Sequence, residues 1–175
     1  HSRFARAASI APNLQTALDH WARCEAPLRA LQTESDADQS RGEKLDVEQL
    51  LAPLPRAYEW VDGSAFLNHV RLVRKARKAE PPATLETDPL VYQGGSGQML
   101  APTEPIHSVD DAWGLDFESE VAVIISDTPL GTTAAQAASH VRLITLVNDV
   151  TLRGLVPDEL AKGFGFFNSK PPTAF

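Results

Sequence analysis

Cysteine is nearly absent from this chain of 175 residues, since Cys24 is the only one. A lone thiol excludes an internal disulfide. Long apolar runs are absent as well, because no stretch approaches the roughly 18 residues that a membrane span requires, and no segment resembles a secretory signal peptide. From these absences we expect a cytoplasmic protein with no membrane partner.

Positive charge is also scarce. The chain has 16 basic and 23 acidic residues, which gives a net charge of −7, and its basic residues cluster only between Arg71 and Lys78. A protein that binds nucleic acid usually presents an extended basic surface. The composition therefore argues against a nucleic-acid partner, and the length suits one ordinary domain with its own core.

The beginning of the chain has a helical pattern. Apolar residues recur at helical spacing from Leu14 to Leu28, which predicts an amphipathic helix. Ser9 and Pro12 suit its cap and first turn. We expect this helix to kink or end near Pro27, because proline lacks the amide hydrogen that an interior helical position donates.

Two further segments complete a predicted N-terminal helical lobe over residues 1–55. The polar run Thr33–Lys44 has no apolar period and predicts a solvated connector. A short helix is expected over Asp46–Leu51, ending at the prolines that follow.

From residue 56 onward the pattern changes to short apolar runs broken by glycine and proline. We predict a strand over Leu115–Ile125, a helix over Thr132–Arg142 and a buried strand over Leu143–Val150. The glycine-rich segment 93–98 lacks the Lys-Ser/Thr pair of a phosphate loop, so nucleotide binding is not predicted there.

Carboxylates alternate with apolar residues in the stretch GLDFESEVAV. On a strand Glu118 and Glu120 would share one face, with Cα atoms roughly 6.6 Å apart, close enough to reach one cation. The alternative is the wet face of an edge strand. Asp149 favours the first interpretation, because it ends the most apolar run in the chain, where an unpaired charge would be costly; taken alone, Asn148-Asp149 also fits a turn or a helix cap.

Three other residues are candidates for chemistry. Asp62 begins the segment DGSAFLNH, in which His69 follows seven residues later; Asp-Gly alone would fit a hairpin turn, and a lone histidine is usually structural. Lys170 follows an aromatic run and could neutralise charge on a substrate or simply be solvated. Carboxylates without a cysteine and histidine pattern suit a hard cation such as Mg²⁺, Mn²⁺ or Ca²⁺ rather than zinc.

The order and spacing of five segments resemble the fumarylacetoacetate hydrolase family, in particular its shorter bacterial members. The segments are DGSAFLNH, PLVYQGG, DFESE, VNDVTLR and FNSK. The resemblance covers residues 59–175. It implies an α+β fold, a mixed β-roll/β-sandwich of the fumarylacetoacetase type with an N-terminal helical lobe, and a catalytic domain over residues 56–175 that is incomplete in this chain.

The resemblance also implies the site. The divalent-cation ligands would be Asp62, Glu118, Glu120 and Asp149, with Mg²⁺ as the first choice and Mn²⁺ or Ca²⁺ as alternatives. The catalytic residues would be His69, as the general base, and Lys170. The substrate-binding residues would be Tyr92, Arg153 and Lys78. Phe117 and Val121 would anchor the strand face opposite the two glutamates.

Some positions depart from the family pattern. Ser64 and Val156 stand where the animal enzyme has substrate-contacting aromatic and glutamine side chains. Family members also continue well beyond this length, with an acidic partner for the catalytic histidine and a Gly-Thr loop. We therefore expect the chain to be a truncated piece of a homodimeric enzyme.

Three functions are compatible with these residues. The first is metal-dependent hydrolysis of a C–C bond in a 1,3-diketo acid, such as fumarylacetoacetate or an acylpyruvate, in the catabolism of tyrosine and other aromatic compounds. The second is decarboxylation or tautomerisation of a 2-oxo acid such as oxaloacetate. The third is a non-enzymatic assembly module.

Overall fold

The computed structural model describes residues 3–38, 40 and 42–175. Its α-helices are α1 Leu14–Asp19, α2 Trp21–Ala37, α3 Leu67–Ala76, α4 Ala134–Ala137 and α5 Val156–Lys162. Its β-strands are β1 Arg3–Phe4, β2 Glu43–Lys44, β3 Val61–Gly63, β4 Val91–Gln93, β5 Leu115–Asp116, β6 Ser119–Ile125, β7 Val141–Asn148 and β8 Thr151–Leu152. Short 3₁₀ helices cover Val47–Gln49, Asp111–Trp113 and Ala138–His140.

Helices α1 and α2 bury a small core at the start of the chain. Ala11, Ala17 and Cys24 form this core, and Ile10 and Leu28 pack against it. Each helix buries one residue of this core, Ala17 in α1 and Cys24 in α2. The apolar spacing in the sequence therefore corresponds to helix faces that pack together.

The predicted helix over residues 14–28 begins at Leu14 but is two helices, α1 and α2, on either side of His20, and its predicted cap and its predicted end near Pro27 were wrong. Its cap is Asn13, whose side chain accepts a hydrogen bond from the Thr16 amide at 2.8 Å. Pro27 lies inside α2, which continues to Ala37. Proline therefore removes one backbone hydrogen bond without ending the helix.

The predicted connector over residues 33–44 is partly helical, because α2 includes residues 33–37. Gln39 and Arg41 of that segment lie outside the described residues. In place of the predicted helix over residues 46–51, a single 3₁₀ turn begins after Asp46, which caps it through the Glu48 amide at 3.2 Å.

The strands of the described residues pair as four antiparallel two-stranded sheets, β1 with β2, β3 with β4, β5 with β8, and β6 with β7. The predicted strand over residues 115–125 is two strands, β5 and β6. It breaks at Phe117, whose amide turns to the Asp116 side chain at 2.9 Å. Mixed helix and strand content agrees with the predicted α+β class at that level, while the roll or sandwich arrangement stays a prediction.

The β6–β7 hairpin has one inward and one outward face. Glu120 pairs with Val147 and is partly buried, whereas Val121 pairs with Leu146 and is 57% exposed. Phe117 is 68% exposed. The predicted alternation of faces is therefore present, but Phe117 and Val121 do not anchor the outer face against other described residues.

The chain from Asp149 to Leu152 is the most buried part of the second half. Asp149, Val150, Thr151 and Leu152 are all buried, and the Leu152 amide donates to the Ser169 carbonyl at 2.8 Å. This contact fixes the C-terminal loop against the end of the β6–β7 hairpin.

One helical prediction in this half was too long. The predicted helix over residues 132–142 is α4 followed by a 3₁₀ turn that ends at His140.

In the part of the chain that the structure describes, no helix combines the length and apolar character needed to cross a membrane.

Gly154 is a close-contact position that tests this arrangement. A Cβ atom there would lie 2.5 Å from the Ala112 carbonyl oxygen and 3.2 Å from that of Trp113. Because backbone must move to make room, Gly154→Ala should lower the free energy of unfolding by about 1–3 kcal/mol, measured by urea denaturation.

The matched control is Gly97→Ala, because a Cβ at Gly97 meets no atom within 4 Å. Its unfolding midpoint should stay close to that of the parent protein. Equal effects of the two substitutions would contradict the close approach at Gly154.

Candidate active site

Four carboxylates from three segments of the chain line one cleft of about 270 Å³. Asp62 lies on β3 and Glu120 on β6, while Glu118 precedes β6 and Asp149 follows β7. The fold thus brings together the four residues that the sequence proposed as cation ligands.

Strand pairing positions Asp62. In the β3–β4 pair Asp62 lies opposite Tyr92. The Tyr92 hydroxyl donates a hydrogen bond to Oδ2 of Asp149. Tyr92 therefore connects the sheet that carries Asp62 with the end of the β6–β7 hairpin.

Backbone contacts join Glu118 to Asp149. The Asp149 amide donates to the Glu118 carbonyl at 2.8 Å, and the Glu118 amide donates to Oδ1 of Asn148 at 3.1 Å. These bonds hold the two buried carboxylates side by side.

The Lys170 ammonium lies between these carboxylates. Its Nζ donates to Oε2 of Glu118 at 2.8 Å, to Oδ2 of Asp149 at 2.6 Å and to the Thr151 hydroxyl at 2.7 Å. The Lys170 side chain is only 8% exposed. All three of its hydrogen-bonding positions are thereby used, so the buried charge is paired and its hydrogens are satisfied.

Aromatic rings complete the surroundings of this ammonium. Its Nζ lies 5.3 Å from the ring centre of Tyr92 and 5.9 Å from that of Phe166. The two rings meet edge to face with centres 4.9 Å apart. A ring face attracts a cation within about 6 Å, so both rings add to the contacts that hold the Lys170 ammonium in place.

The second oxygen of Glu118 faces other partners. Arg153 donates to Oε1 of Glu118 and also to Oδ2 of Asp116, at 2.8 Å from Nη2. The His69 Nε2 lies 3.3 Å from the same Glu118 oxygen. The ring thus lies against a carboxylate on one side. Because His69 is 46% exposed, the other side stays open to the cleft.

The carboxylates divide electrostatically into two kinds. Burial alone would raise the pKa of Glu118, but hydrogen bonds and charges from Lys170 and Arg153 outweigh it and lower the pKa to about 2. Glu118 is therefore ionised throughout the physiological range.

Asp62 and Glu120 behave in the opposite way. Burial and the nearby charge of Asp149 raise the pKa of Asp62 to about 6, and burial with the charges of Asp62, Asp149 and Glu118 raises the pKa of Glu120 to about 7. Burial and the bond to Asp149 also raise the pKa of Tyr92, which keeps its hydroxyl a donor. Negative charge in the cleft thus exceeds what Lys170 neutralises.

This donor set fits a hard divalent cation by its chemistry. Carboxylate oxygens are the ligands that Mg²⁺, Mn²⁺ and Ca²⁺ prefer, and repulsion among the carboxylates adds to burial in raising the pKa values of Asp62 and Glu120. As the side chains stand, no three His, Cys, Asp or Glu residues in the described part are placed to hold a metal ion. Lys170 takes one oxygen each from Glu118 and Asp149.

Two of the three proposed substrate-binding residues line the cleft, and the third does not. Tyr92 and Arg153 line the cleft, whereas Lys78 follows the end of α3 and is not among the lining residues. Arg74 and Arg77 of the same helix line it instead.

Sequence reasoning missed Arg77 and Thr151. Arg77 lies eight residues after His69, which is close to two helical turns, so helical spacing would have placed both on one face. Partial burial and the neighbouring charges of Arg153 and Arg74 lower the pKa of Arg77. The only sequence signal for Thr151 was its position directly after the predicted buried strand over residues 143–150.

The positions that depart from the expected pattern also lie at the cleft. Ser64 and Val156 are both lining residues. A small hydroxyl and a small apolar group therefore occupy places where larger side chains would restrict the ligand.

Comparison with known families adds independent information. Residues 59–174 match the family described as fumarylacetoacetate (FAA) hydrolase C-terminal. Residues 1–56 match the family described as fumarylacetoacetase N-terminal domain 2. The first match covers most of the chain and includes every residue named at the cleft.

Individual relatives are more distant. Protein Rv2993c of Mycobacterium tuberculosis (strain ATCC 25618 / H37Rv) is 28% identical over 105 residues, which are 60% of this chain and 37% of that protein. The structure of a fumarylacetoacetate hydrolase from Exiguobacterium antarcticum aligns with a TM-score of 0.49 and 23% identity, covering 76% of this chain and 45% of that one. The chain thus spans less than half the length of these relatives. By its match over residues 59–174, the chain belongs to the fumarylacetoacetate hydrolase family.

Proposed function

We propose that this protein is a hydrolase that cleaves a C–C bond in a 1,3-diketo acid, fumarylacetoacetate or a related acylpyruvate, in aromatic catabolism. The observation that carries the proposal is the buried Lys170 ammonium, which lies beside Glu118 and Asp149 in the cleft that His69 also lines. Membership of the family supports a hydrolase or isomerase type of activity.

The cluster of four carboxylates is proposed to hold a divalent cation, Mg²⁺ first, with Mn²⁺ or Ca²⁺ as alternatives. When bound, the cation supplies Lewis acidity toward the oxygens of a dicarbonyl compound. Its ligands would be Asp62, Glu118, Glu120 and Asp149.

His69 is proposed as the general base. Its Nε2 lies 3.3 Å from Oε1 of Glu118, and its ring is half exposed at the cleft. His69 takes a proton from water, and the resulting hydroxide adds to one carbonyl carbon of the substrate.

Lys170 acts in the bond-breaking step. The bond between the attacked carbon and the central carbon breaks, and its electron pair passes into an enolate. The positive charge of the buried ammonium stabilises the negative charge that develops on the enolate. Protonated His69 then returns its proton to the central carbon, so that the products are a carboxylic acid and a ketone.

The remaining residues bind the substrate. Tyr92 and Arg153 line the cleft, and their hydroxyl and guanidinium groups suit the oxygens of a diketo acid. Lys78 is retained as a proposed contact, and Arg77 is an additional candidate for a substrate carboxylate because it faces the cleft.

A second activity uses the same residues. Decarboxylation or tautomerisation of a 2-oxo acid such as oxaloacetate requires enolate stabilisation but no attacking water. Lys170, which is 8% exposed, supplies the buried positive charge that this reaction needs, and His69, which is 46% exposed, is not required to activate water in it.

His69→Ala in the full-length protein should lower kcat for hydrolysis of a diketo acid by about 10²- to 10⁴-fold, because a general base contributes that much. Cation affinity, measured by calorimetry, should change little. The substrate panel is fumarylacetoacetate, acylpyruvates and oxaloacetate, each with Mg²⁺, with Mn²⁺ and with a chelator.

The control for this substitution is His107→Ala, because His107 is exposed and is not among the lining residues. Turnover of oxaloacetate alone would favour the second activity. Loss of cation binding in His69→Ala would mean that His69 is a ligand rather than a base.

The raised pKa values of Asp62 and Glu120 predict a pH-dependent stability. Between their ordinary values of 3.8 and 4.5 and their folded values of about 6 and 7, the folded protein binds more protons than the unfolded chain. Stability in chelator should therefore fall as the pH rises from about 5 to about 8. Thermal unfolding across that range, with and without Mg²⁺, measures the effect.

The cation should reduce this loss, because it offsets the repulsion among the carboxylates. Glu120→Gln, which removes one of the two titrating groups, should make the pH dependence shallower. Stability that rises with pH in chelator would contradict the electrostatic description of the cleft.

A further inference from the structure

Glu159 on α5 is a buried carboxylate outside the group of proposed ligands. It is 9% exposed. Its oxygens accept the backbone amides of Phe167 at 3.0 Å, Asn168 at 2.6 Å and Ser169 at 3.1 Å, and also the Ser169 hydroxyl. One side chain therefore binds three consecutive residues of the loop that immediately precedes Lys170.

The donors keep this carboxylate charged. Burial alone would raise the pKa of Glu159, but the Ser169 hydroxyl and the three amides lower it to about 2. A carboxylate that accepts several backbone amides is strongly favoured in its ionised form. The loop is therefore held by charge-assisted hydrogen bonds at any physiological pH.

Glycines allow the loop to return to this point. α5 ends at Gly163, with φ of 77°, and Gly165 has φ of 93°. Both values lie in the left-handed region that glycine adopts without strain. The chain reverses there and brings residues 167–169 back over Glu159.

The other side of the loop is fixed to β8. The Ser169 carbonyl accepts the Leu152 amide at 2.8 Å, and Ser169 is fully buried. Ser169 is thus bound through its amide, hydroxyl and carbonyl. The next residue is Lys170, whose Nζ contacts Glu118, Asp149 and Thr151.

We propose that Glu159 is a positioning residue, which binds the loop 167–169 and thereby sets the place of the Lys170 ammonium beside Glu118 and Asp149. Its effect on turnover rests on the proposed function of Lys170. Its effect on the placement of Lys170 does not depend on any substrate.

A chemical measurement tests the placement directly. Acetic anhydride acylates accessible lysines, and peptide mass spectrometry gives the rate at Lys170 relative to exposed Lys44 in the same molecule. Glu159→Gln replaces one acceptor oxygen by an amide group that opposes the loop amides. It should raise the relative acylation rate of Lys170 by about tenfold or more, because unsatisfied buried donors release the loop.

Two other variants make the measurement specific. Asp158→Asn removes a charge from an exposed neighbouring position in α5 and should leave the Lys170 rate unchanged. Ser169→Ala removes only one of the four donors and should give a smaller rise than Glu159→Gln. If Glu159→Gln does not fold, Ser169→Ala decides, and an unchanged Lys170 rate in that variant overturns the proposal.

A double-mutant cycle separates positioning from general stability. Glu159→Gln should lower kcat for a diketo acid by about tenfold with little change in KM. In a Lys170→Met background the same substitution should have no further effect, because the group that it positions is gone. An equal loss of kcat in both backgrounds would overturn the proposal.

The two readouts also separate this inference from the proposed function. Absence of turnover by the parent protein with every diketo acid counts against the proposed function. The acylation rates still decide the role of Glu159: a rise supports it, and no rise in Glu159→Gln overturns it.

Discussion

The paired charge of Lys170 is the interaction on which the rest of the cleft depends. Its ammonium binds oxygens from Glu118, Asp149 and Thr151, which belong to segments separated by the β6–β7 hairpin. Buried carboxylates left without such a partner would strongly destabilise the folded state. The same contact therefore stabilises the protein and, in the proposed function, places a cationic group beside the substrate.

The carboxylates of the cleft are not equally paired with positive charge, and their pKa values differ accordingly. Glu118 contacts both Lys170 and Arg153 and stays ionised, whereas burial and, after it, the charge of neighbouring carboxylates raise the pKa values of Asp62 and Glu120. Clusters of titratable groups with divergent pKa values are typical of functional sites. One end of the cleft has its negative charge paired, and the other end holds the carboxylates with raised pKa values.

The sequence predicted the cleft better than it predicted the helices. Strand alternation and the sequence motifs indicated the acidic residues that line the cleft, such as Glu120. Each of these signals can be read from a few neighbouring residues. The course of α2 through Pro27 was not predictable, since its stability depends on packing as well as on local propensity. Helical spacing would have found Arg77 had it been applied, but Glu159 gives no local signal, because its partners are backbone amides that only the folded loop brings close.

The pairing of β6 with β7 has a consequence for folding fidelity. A slip of the two strands by one residue would turn Glu120 to the outer face and put Val121 over the cleft, because side chains alternate with a period of two. Asn148 opposes Ser119, and its side chain also binds the Glu118 amide. That contact with the Glu118 amide is available only in the correct strand register. One neutral asparagine therefore disfavours a misfolded hairpin that would retain nearly all of its backbone hydrogen bonds.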